Sequence, residues 1–568
     1  MRFILVLYTI RKMKTLDKKY DSIIVGSGAG GLSCALCLAR AGQKVLLLEQ
    51  HDVPGGWCHS FTLNGQRFSP GVHYVGLIGE GESNNELLCG LGIANDIVFF
   101  EMNKKGYEHC HIGDEKFSMP SGIENLKTEL CKRFPEEKKA IIKYVDLIKT
   151  IHTQMMIVPK MHGFWDYLTI PFKAKYVGKY AFFTLKRVID WHIKDPLLKT
   201  ILNVQCGDYG LPPYKASFLV HSVLMAHYFE GGFYPMGGGG GYVKAFTKRI
   251  KSLGCEIRTK SKVIRILVEQ RKAIGVKLEN GEVIKADRVI SNADPNITFL
   301  DLIGENHISK KLKKRLDNTK YSLTSLIMFL TLDIDVTKYG IDSGNIWKIS
   351  EPDLDAVYDN NLSKNNILNG DEFNCVFLSC TSLKDPASFN GRYHNFEIVT
   401  LLNYSAFEQF EKGKDYHTEE YEAFKKKLIY KMLNTVERLI PDARKHVIQA
   451  ELGTPMTNNY YINSTRGNVY GTEKTLKSVG PFAFKTKTEI KNLFLSGAST
   501  LFHGVGGATN SGIETAAKIL GCHAQDLLIE DENQKLRFYD AENSTSWPDW
   551  VHQKRADKIR RFKEIDLK

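Results

Sequence analysis

At 568 residues the chain is too long for one small core, and two or more domains are expected. Apolar residues make up 43% and charged residues 25%, which excludes a disordered or fibrous chain. The net charge of +13 suits an anionic partner. Because no zinc-knuckle, RNP-like or basic-region pattern accompanies it, no nucleic-acid partner is expected and a lipid surface is favoured.

Residues 1–18 read as an extension. Phe3 to Ile10 is apolar but too brief to span a bilayer and lacks a cleavage site, and Met13 offers a second candidate start. The organising stretch follows. Ile23 to Val25 reads as a short buried strand, and Gly26, Gly28 and Gly31 make G-x-G-x-x-G directly after it. Leu32, Leu36 and Ala39 recur at helical spacing up to Gly42, Val45 to Leu48 is a second strand, and Glu49 closes it. A glycine turn leading into a helix N-terminus offers bare N–H groups and partial positive charge to a pyrophosphate. The acid after the second strand can accept from a ribose diol and would repel a 2′-phosphate, so the dinucleotide is FAD or NAD-like.

Eleven cysteines are scattered without framework spacing. Cys34 and Cys37 fall inside the first helix, where packing explains them better than redox chemistry, and the thiols suit a reducing compartment. No metal-ligand cluster is expected; His221 and His227 lie on different faces of a helix.

Beyond Glu49 and Gln50 come Gly55-Gly56-Trp57, a hairpin turn at Asn64-Gly65, and Pro70-Gly71-Val72-His73-Tyr74. Residues 85–150 read as mixed and mostly helical, with an amphipathic stripe over 126–151. Residues 155–187 interleave aromatics with Lys160, Lys173, Lys175, Lys179, Lys186 and Arg187, and Pro159 and Pro171 interrupt them. That pattern describes a segment lying in a membrane interface or a helical lid over an apolar pocket. Tyr234-Pro235-Met236 precedes five glycines, Gly237 to Gly241, whose place before a helix suggests close approach to a ligand or cofactor. Strands around Val263, Ala273 and Arg288 to Asp294, a sheet-rich stretch over 311–479 with a long helix at 415–439, a strand at Leu493 to Ser496 and a glycine-rich helix start at 504–512 complete the pattern. The tail from about Asp526 is charged and ends in a basic amphipathic segment, 550–562, read as a solvated face.

On the blocks 22–76, 228–295 and 492–520 the chain resembles the phytoene desaturase-like flavoproteins, most of all their retinol saturase and carotenoid isomerase branch. The resemblance implies an α/β fold: a discontinuous Rossmann-type FAD-binding domain (19–100, 235–310 and 480–525) with an inserted α+β substrate domain. That domain comprises a helical, membrane-facing region (101–234) and a sheet-rich region (311–479), followed by a charged tail (526–568). It implies FAD held by Gly26, Ser27, Gly28, Ala29, Gly30, Gly31, Glu49, Gln50, Gly55, Gly56, Val263, Gly497, Gly507 and Ala508. Of these, Val263 would meet the adenine through its backbone, and the helix start after Gly504 would face the flavin pyrimidine edge. Trp57 stands where many members carry Arg. No second G-x-G-x-x-G follows a strand, so NAD(P)H would be a visiting reductant at the same flavin.

The resemblance further implies a FAD-dependent oxidoreductase that saturates, desaturates or isomerises a carbon–carbon double bond of a long apolar polyene, carotenoid- or retinoid-like, in a cytoplasmic protein peripheral on the membrane. A proton for saturation would come from an acid near the flavin, with His73, Tyr74 and Glu230, and beside them Tyr228 and Tyr234, as candidates. An amine oxidase-like or fatty-acid-modifying flavoenzyme and a non-catalytic flavin- or pigment-binding membrane protein are the alternatives.

Overall fold

The computed structural model describes residues 20–157, 169, 172–363, 367–411 and 416–566. The extension and residues 158–168, 170 and 171 of the aromatic-basic segment, Pro159, Lys160 and Pro171 among them, lie outside the described residues.

The first strand, Tyr20–Val25, is the axis of a seven-stranded sheet. It pairs in parallel with Val45–Leu48 on one side and Val283–Ser291 on the other. Glu256–Arg258 extends the sheet beyond Val45–Leu48, and Leu493–Leu495 pairs in parallel with Val283–Ser291. Ile23, Ile24, Leu46 and Leu47 are wholly buried, as a parallel sheet covered on both faces requires. The antiparallel ribbon Val263–Glu269 and Lys272–Leu278 continues from the outer part of Val283–Ser291. Helix Ala29–Arg40 covers one face and buries Leu32, Leu36 and Leu38 completely. Gly31 sets how closely that helix lies on its strand: a Cβ there would stand 2.1 Å from the carbonyl oxygen of Gly26. The Gly504–Leu520 helix packs along the same helix.

A second seven-stranded sheet runs Val447–Gly453, Thr324–Leu332, His394–Leu402, Cys375–Cys380, Asn345–Ile349, Glu108–Ile112, Glu115–Met119. Its last two strands differ from the mostly helical expectation for 85–150. Gly113 and Asp114 form a two-residue turn with Gly113 at φ +56°, and the residues of Glu108–Ile112 alternate between buried and half-buried, a period of two that the flanking helical stripe conceals. The long helix spans Glu419–Glu437, with Thr418 as its N-cap. Helices Ile123–Arg133, Lys138–Ile157, Leu185–His192 and Phe218–His227 pack beside the second sheet around Tyr144, Ile148, Val188 and Phe218.

The tail is more integrated than a solvated charged segment. Arg537–Asp540 adds in parallel to Val98–Glu101, which also pairs with Phe233–Pro235. Trp547 and Val551 are buried against Phe100 and Ala387, so one stripe of the Asp549–Asp566 helix is docked. All eleven cysteines are free thiols. Cys34 and Cys37 sit inside the first helix, where burial raises both, Cys37 to about 12. No helix among the described residues is long and apolar enough to cross a membrane.

Candidate active site

Four separated segments converge at the first glycine turn. Gly26 and Gly28 keep accessible surface, and a Cβ on Gly28 would stand 2.7 Å from the side-chain amide nitrogen of Asn292. A Cβ on Gly30 would stand 2.9 Å from both the Gly497 nitrogen and Ser496 Oγ. Gly56 packs on Gly28, and Gly55 donates its N–H to Ser27 Oγ at 2.9 Å. Asn292 Oδ1 and Ser496 Oγ are buried with no hydrogen-bond partner among the described residues. Neither the Ala29–Arg40 helix nor the Gly504–Leu520 helix has an acid in its first turn, so both positive ends stay uncompensated. Bare glycine backbone, orphaned polar atoms and two positive helix ends fit a dinucleotide pyrophosphate.

Glu49 is 7% exposed at the end of its strand. One carboxylate oxygen accepts from Ser27 N (3.0 Å) and Ser27 Oγ (2.5 Å), the other from His51 N at 2.9 Å, which leaves acceptor capacity for a ribose hydroxyl. The N–H of Ser261 donates to the Glu49 carbonyl at 2.8 Å, two residues before the strand that Val263 opens. Gln50 is half-buried and donates to the Tyr461 carbonyl. Gly497 donates to Ser511 Oγ at 2.9 Å. Gly507 and Ala508 lie in the first turns of the last helix with surface accessible, and Ala29 starts the first helix.

The five-glycine run does not carry a ligand-facing turn in the way its position suggests. Its N–H groups are spent within the chain: Gly237 to Asp385 Oδ2 (2.6 Å), Gly239 to Ser69 Oγ (2.8 Å) and Gly240 to Ser60 Oγ (2.9 Å). The glycines let this helix start press onto the 58–69 hairpin. Trp57 packs beside Phe68 and Phe329.

Two candidate acids fall in a buried polar cluster, and one does not. His73 Nδ1 lies 3.0 Å from Glu397 Oε2, and the other Glu397 oxygen accepts from the Ser69 N–H. Tyr74 stacks on Tyr228 with centroids 4.1 Å apart and donates to Asp208 Oδ2 at 2.6 Å. Tyr234 lies under Lys384, whose Nζ is 5.7 Å from its ring centre. Lys384 is fully buried; its Nζ donates to the His73 carbonyl (2.8 Å), Ser379 Oγ (2.7 Å) and Asn345 Oδ1. Burial pulls this ammonium down to about 7 against the opposing pull of Glu397 and Glu108. Glu230, by contrast, is exposed and acts electrostatically on Glu82. Sequence reasoning missed Glu108, Lys384 and Glu397 and passed over Asp208 as a loop residue. The available signal was a charge at an inward-facing strand position, as in Phe396-Glu397-Ile398.

The fold and this cradle define a FAD-dependent oxidoreductase: a Rossmann-type cofactor domain on the amine oxidase fold. Residues 24–87 match the NAD(P)-binding Rossmann-like domain, and residues 187–323 match flavin containing amine oxidoreductases. A solved putrescine oxidase superposes with a TM-score of 0.59 at 16% identity, covering 89% of this chain and 99% of that one. Among curated proteins, the all-trans-retinol 13,14-reductase of Danio rerio is 28% identical over 524 residues, 88% of this chain and 86% of the relative. Prolycopene isomerase 1 of an Oncidium hybrid cultivar is 27% identical over 530 residues, 90% of this chain and 85% of the relative. Over nearly nine-tenths of its length the chain is thus similar to both retinol reductases and prolycopene isomerases.

Proposed function

We propose that the chain holds FAD in the cradle formed by Gly26 to Gly31, Glu49, Gly55, Gly56, Val263, Gly497, Gly507 and Ala508, and acts on a double bond of a retinoid- or carotenoid-like polyene. The observation that carries this reading is similarity to retinol reductases and prolycopene isomerases over nearly nine-tenths of the chain. Bound FAD would supply two-electron chemistry; the protein supplies binding, orientation and exclusion of water. Leu323, Val399, Leu401 and Phe502 are only partly covered and pack on the same core as Trp347 and Phe377. Purified protein is expected to show flavin absorbance, and anaerobic incubation with reduced flavin and a panel of carotenoids and retinol, read by chromatography, is expected to give a saturated, desaturated or isomerised product. Peroxide release with amines and no polyene product would reverse the assignment in favour of an amine oxidase. NAD(P)H is the proposed visiting reductant.

An anionic lipid surface is the proposed docking partner, with the protein peripheral on the membrane. Phe172 and Phe182 are 81% and 76% exposed, and Ile157 and Trp191 are exposed nearby in the chain. Lys173, Lys175, Lys179 and Arg187 stand among them, the Arg187 guanidinium 5.2 Å from the Phe183 ring and 5.3 Å from that of Trp191. Aromatics that insert beside cations that meet phosphate describe an interfacial segment. The double variant Phe172→Ser, Phe182→Ser is expected to bind phosphatidylserine-containing vesicles at least about tenfold more weakly in sedimentation, a loss of about 1.4 kcal/mol; unchanged binding would refute the surface.

A further inference from the structure

The turn Val204–Tyr209 carries Asp208 between two groups of side chains. On one side, the Tyr74 hydroxyl donates to Asp208 at 2.6 Å, and Glu108 interacts electrostatically with both the hydroxyl and the carboxyl. On the other side, the Tyr470 hydroxyl donates to the carbonyl of Gly207 at 3.0 Å, and its ring lies 5.3 Å from that of His503, the N-cap of the Gly504–Leu520 helix. Asp208 is therefore one residue from a contact with the cofactor-facing wall. Glu108 is wholly buried, with Oε2 unpartnered among the described residues, whereas Asp208 keeps part of its surface accessible.

Resting on the polyene reading above, we propose that Asp208, held by the Tyr74 hydroxyl, is the acid that protonates the polyene when a double bond is saturated. The step balances. Bound reduced flavin would supply a hydride, with both electrons, to one carbon as the π bond breaks. The Asp208 O–H bond breaks and its proton forms the C–H bond at the neighbouring carbon. Asp208, which keeps part of its surface accessible, then takes a proton back from solvent. The electrons enter from a hydride donor of the nicotinamide class or from dithionite.

The electrostatics support that geometry. Burial pushes both carboxyls up toward neutrality, and repulsion by Asp208 adds to the effect on Glu108; Lys384 opposes it for both, and the Tyr74 hydrogen bond opposes it for Asp208. Two neighbouring buried carboxyls favour holding one proton between them. Lys384 is the cation facing the pair, itself drawn down by burial. The other titratable neighbours stay neutral: burial raises Tyr107, Tyr228, Tyr358 and Tyr470. It likewise raises Cys110 and Cys206. Burial and nearby Lys474 hold His503 down at about 3; Lys474 itself falls to about 7 through burial.

The test uses the full-length flavoprotein and the variants Asp208→Asn, Glu108→Gln and Tyr74→Phe, each first checked for flavin absorbance and for reduction by dithionite. Asp208→Asn is expected to retain a reducible flavin while saturation falls by about 100-fold or more. Tyr74→Phe keeps the ring stacked on Tyr228 but removes the hydrogen bond that holds Asp208, so saturation is expected to slow while the flavin stays reducible. Infrared titration supplies a readout independent of turnover. The protonated-carboxyl band is expected to persist to neutral pH in the wild type. In Glu108→Gln both this band and the alkaline limb of saturation shift to lower pH, because the remaining carboxyl has lost its repelling neighbour. Wild-type rates in Asp208→Asn, or a carboxyl band that titrates near pH 4 to about 5, overturn the inference. A wild type that holds no flavin or converts no polyene overturns the functional proposal and this inference with it.

Discussion

Replacing Gly31 by Ala is expected to give a protein that purifies with less than about a tenth of its flavin and is about 3 kcal/mol less stable to denaturant. The added methyl has nowhere to go, since its ideal position stands 2.1 Å from the Gly26 carbonyl oxygen, a backbone atom in the same turn. Relief requires the Ala29–Arg40 helix to lift from the Tyr20–Val25 strand, which displaces the N–H groups proposed to meet the pyrophosphate. Flavin content by absorbance and a urea titration together check the result. Gly42→Ala is a control for backbone freedom without crowding: Gly42 has φ +79° and nothing within 4 Å of an added Cβ. It should cost about 1 kcal/mol and keep the flavin. Normal flavin content in Gly31→Ala would refute the close-packing argument.

Replacing Glu397 by Ala is expected to cost about 3–5 kcal/mol, the largest loss from a change outside the cofactor cradle. Glu397 is wholly buried in the Phe-Glu-Ile run of a central strand of the second sheet, and its carboxylate reaches across to Ser69 N and His73 Nδ1 in the cofactor-side loop. Truncation orphans a buried N–H, leaves the imidazole without its partner and removes one of the negative charges that keep Lys384 protonated. Glu397→Gln retains an acceptor for Ser69 and should lose only about 1–2 kcal/mol. Equal losses in the two variants would show that packing, rather than the carboxylate contacts, sets the cost.

The cofactor half was legible because its signals are local. The turn at Gly26 to Gly31, the acid at 49 and the helix start after Gly504 each declare themselves within a dozen residues, and the strands they imply are those observed. The polar cluster was not legible in that way. Asp208, Glu108, Lys384 and Tyr74 come from a loop, a strand, a short helix and the segment after the Asn64-Gly65 turn, and only tertiary packing brings them together. Their spacing in the chain carries no period. His73 and Tyr74 were reachable because they follow the Gly55-Gly56 block; Glu230 shared that kind of argument and ends at the surface. The Glu108–Ile112 and Glu115–Met119 hairpin was hidden because a mostly helical neighbourhood surrounds a short, parallel-paired element whose partner strand begins at Asn345.

The order in which the central sheet is assembled constrains biosynthesis. Tyr20–Val25 leaves the ribosome long before a strand that extends its sheet, Leu493–Leu495, and the Gly504–Leu520 helix beyond it. The nascent chain must keep an apolar parallel sheet incomplete while nearly the whole polypeptide is translated, a high-contact-order arrangement that folds slowly and exposes sticky intermediates. A message truncated before the codons for Leu493–Leu495 would therefore yield a chain that cannot complete this sheet, so slow, aggregation-exposed folding is built into the topology rather than into any one residue.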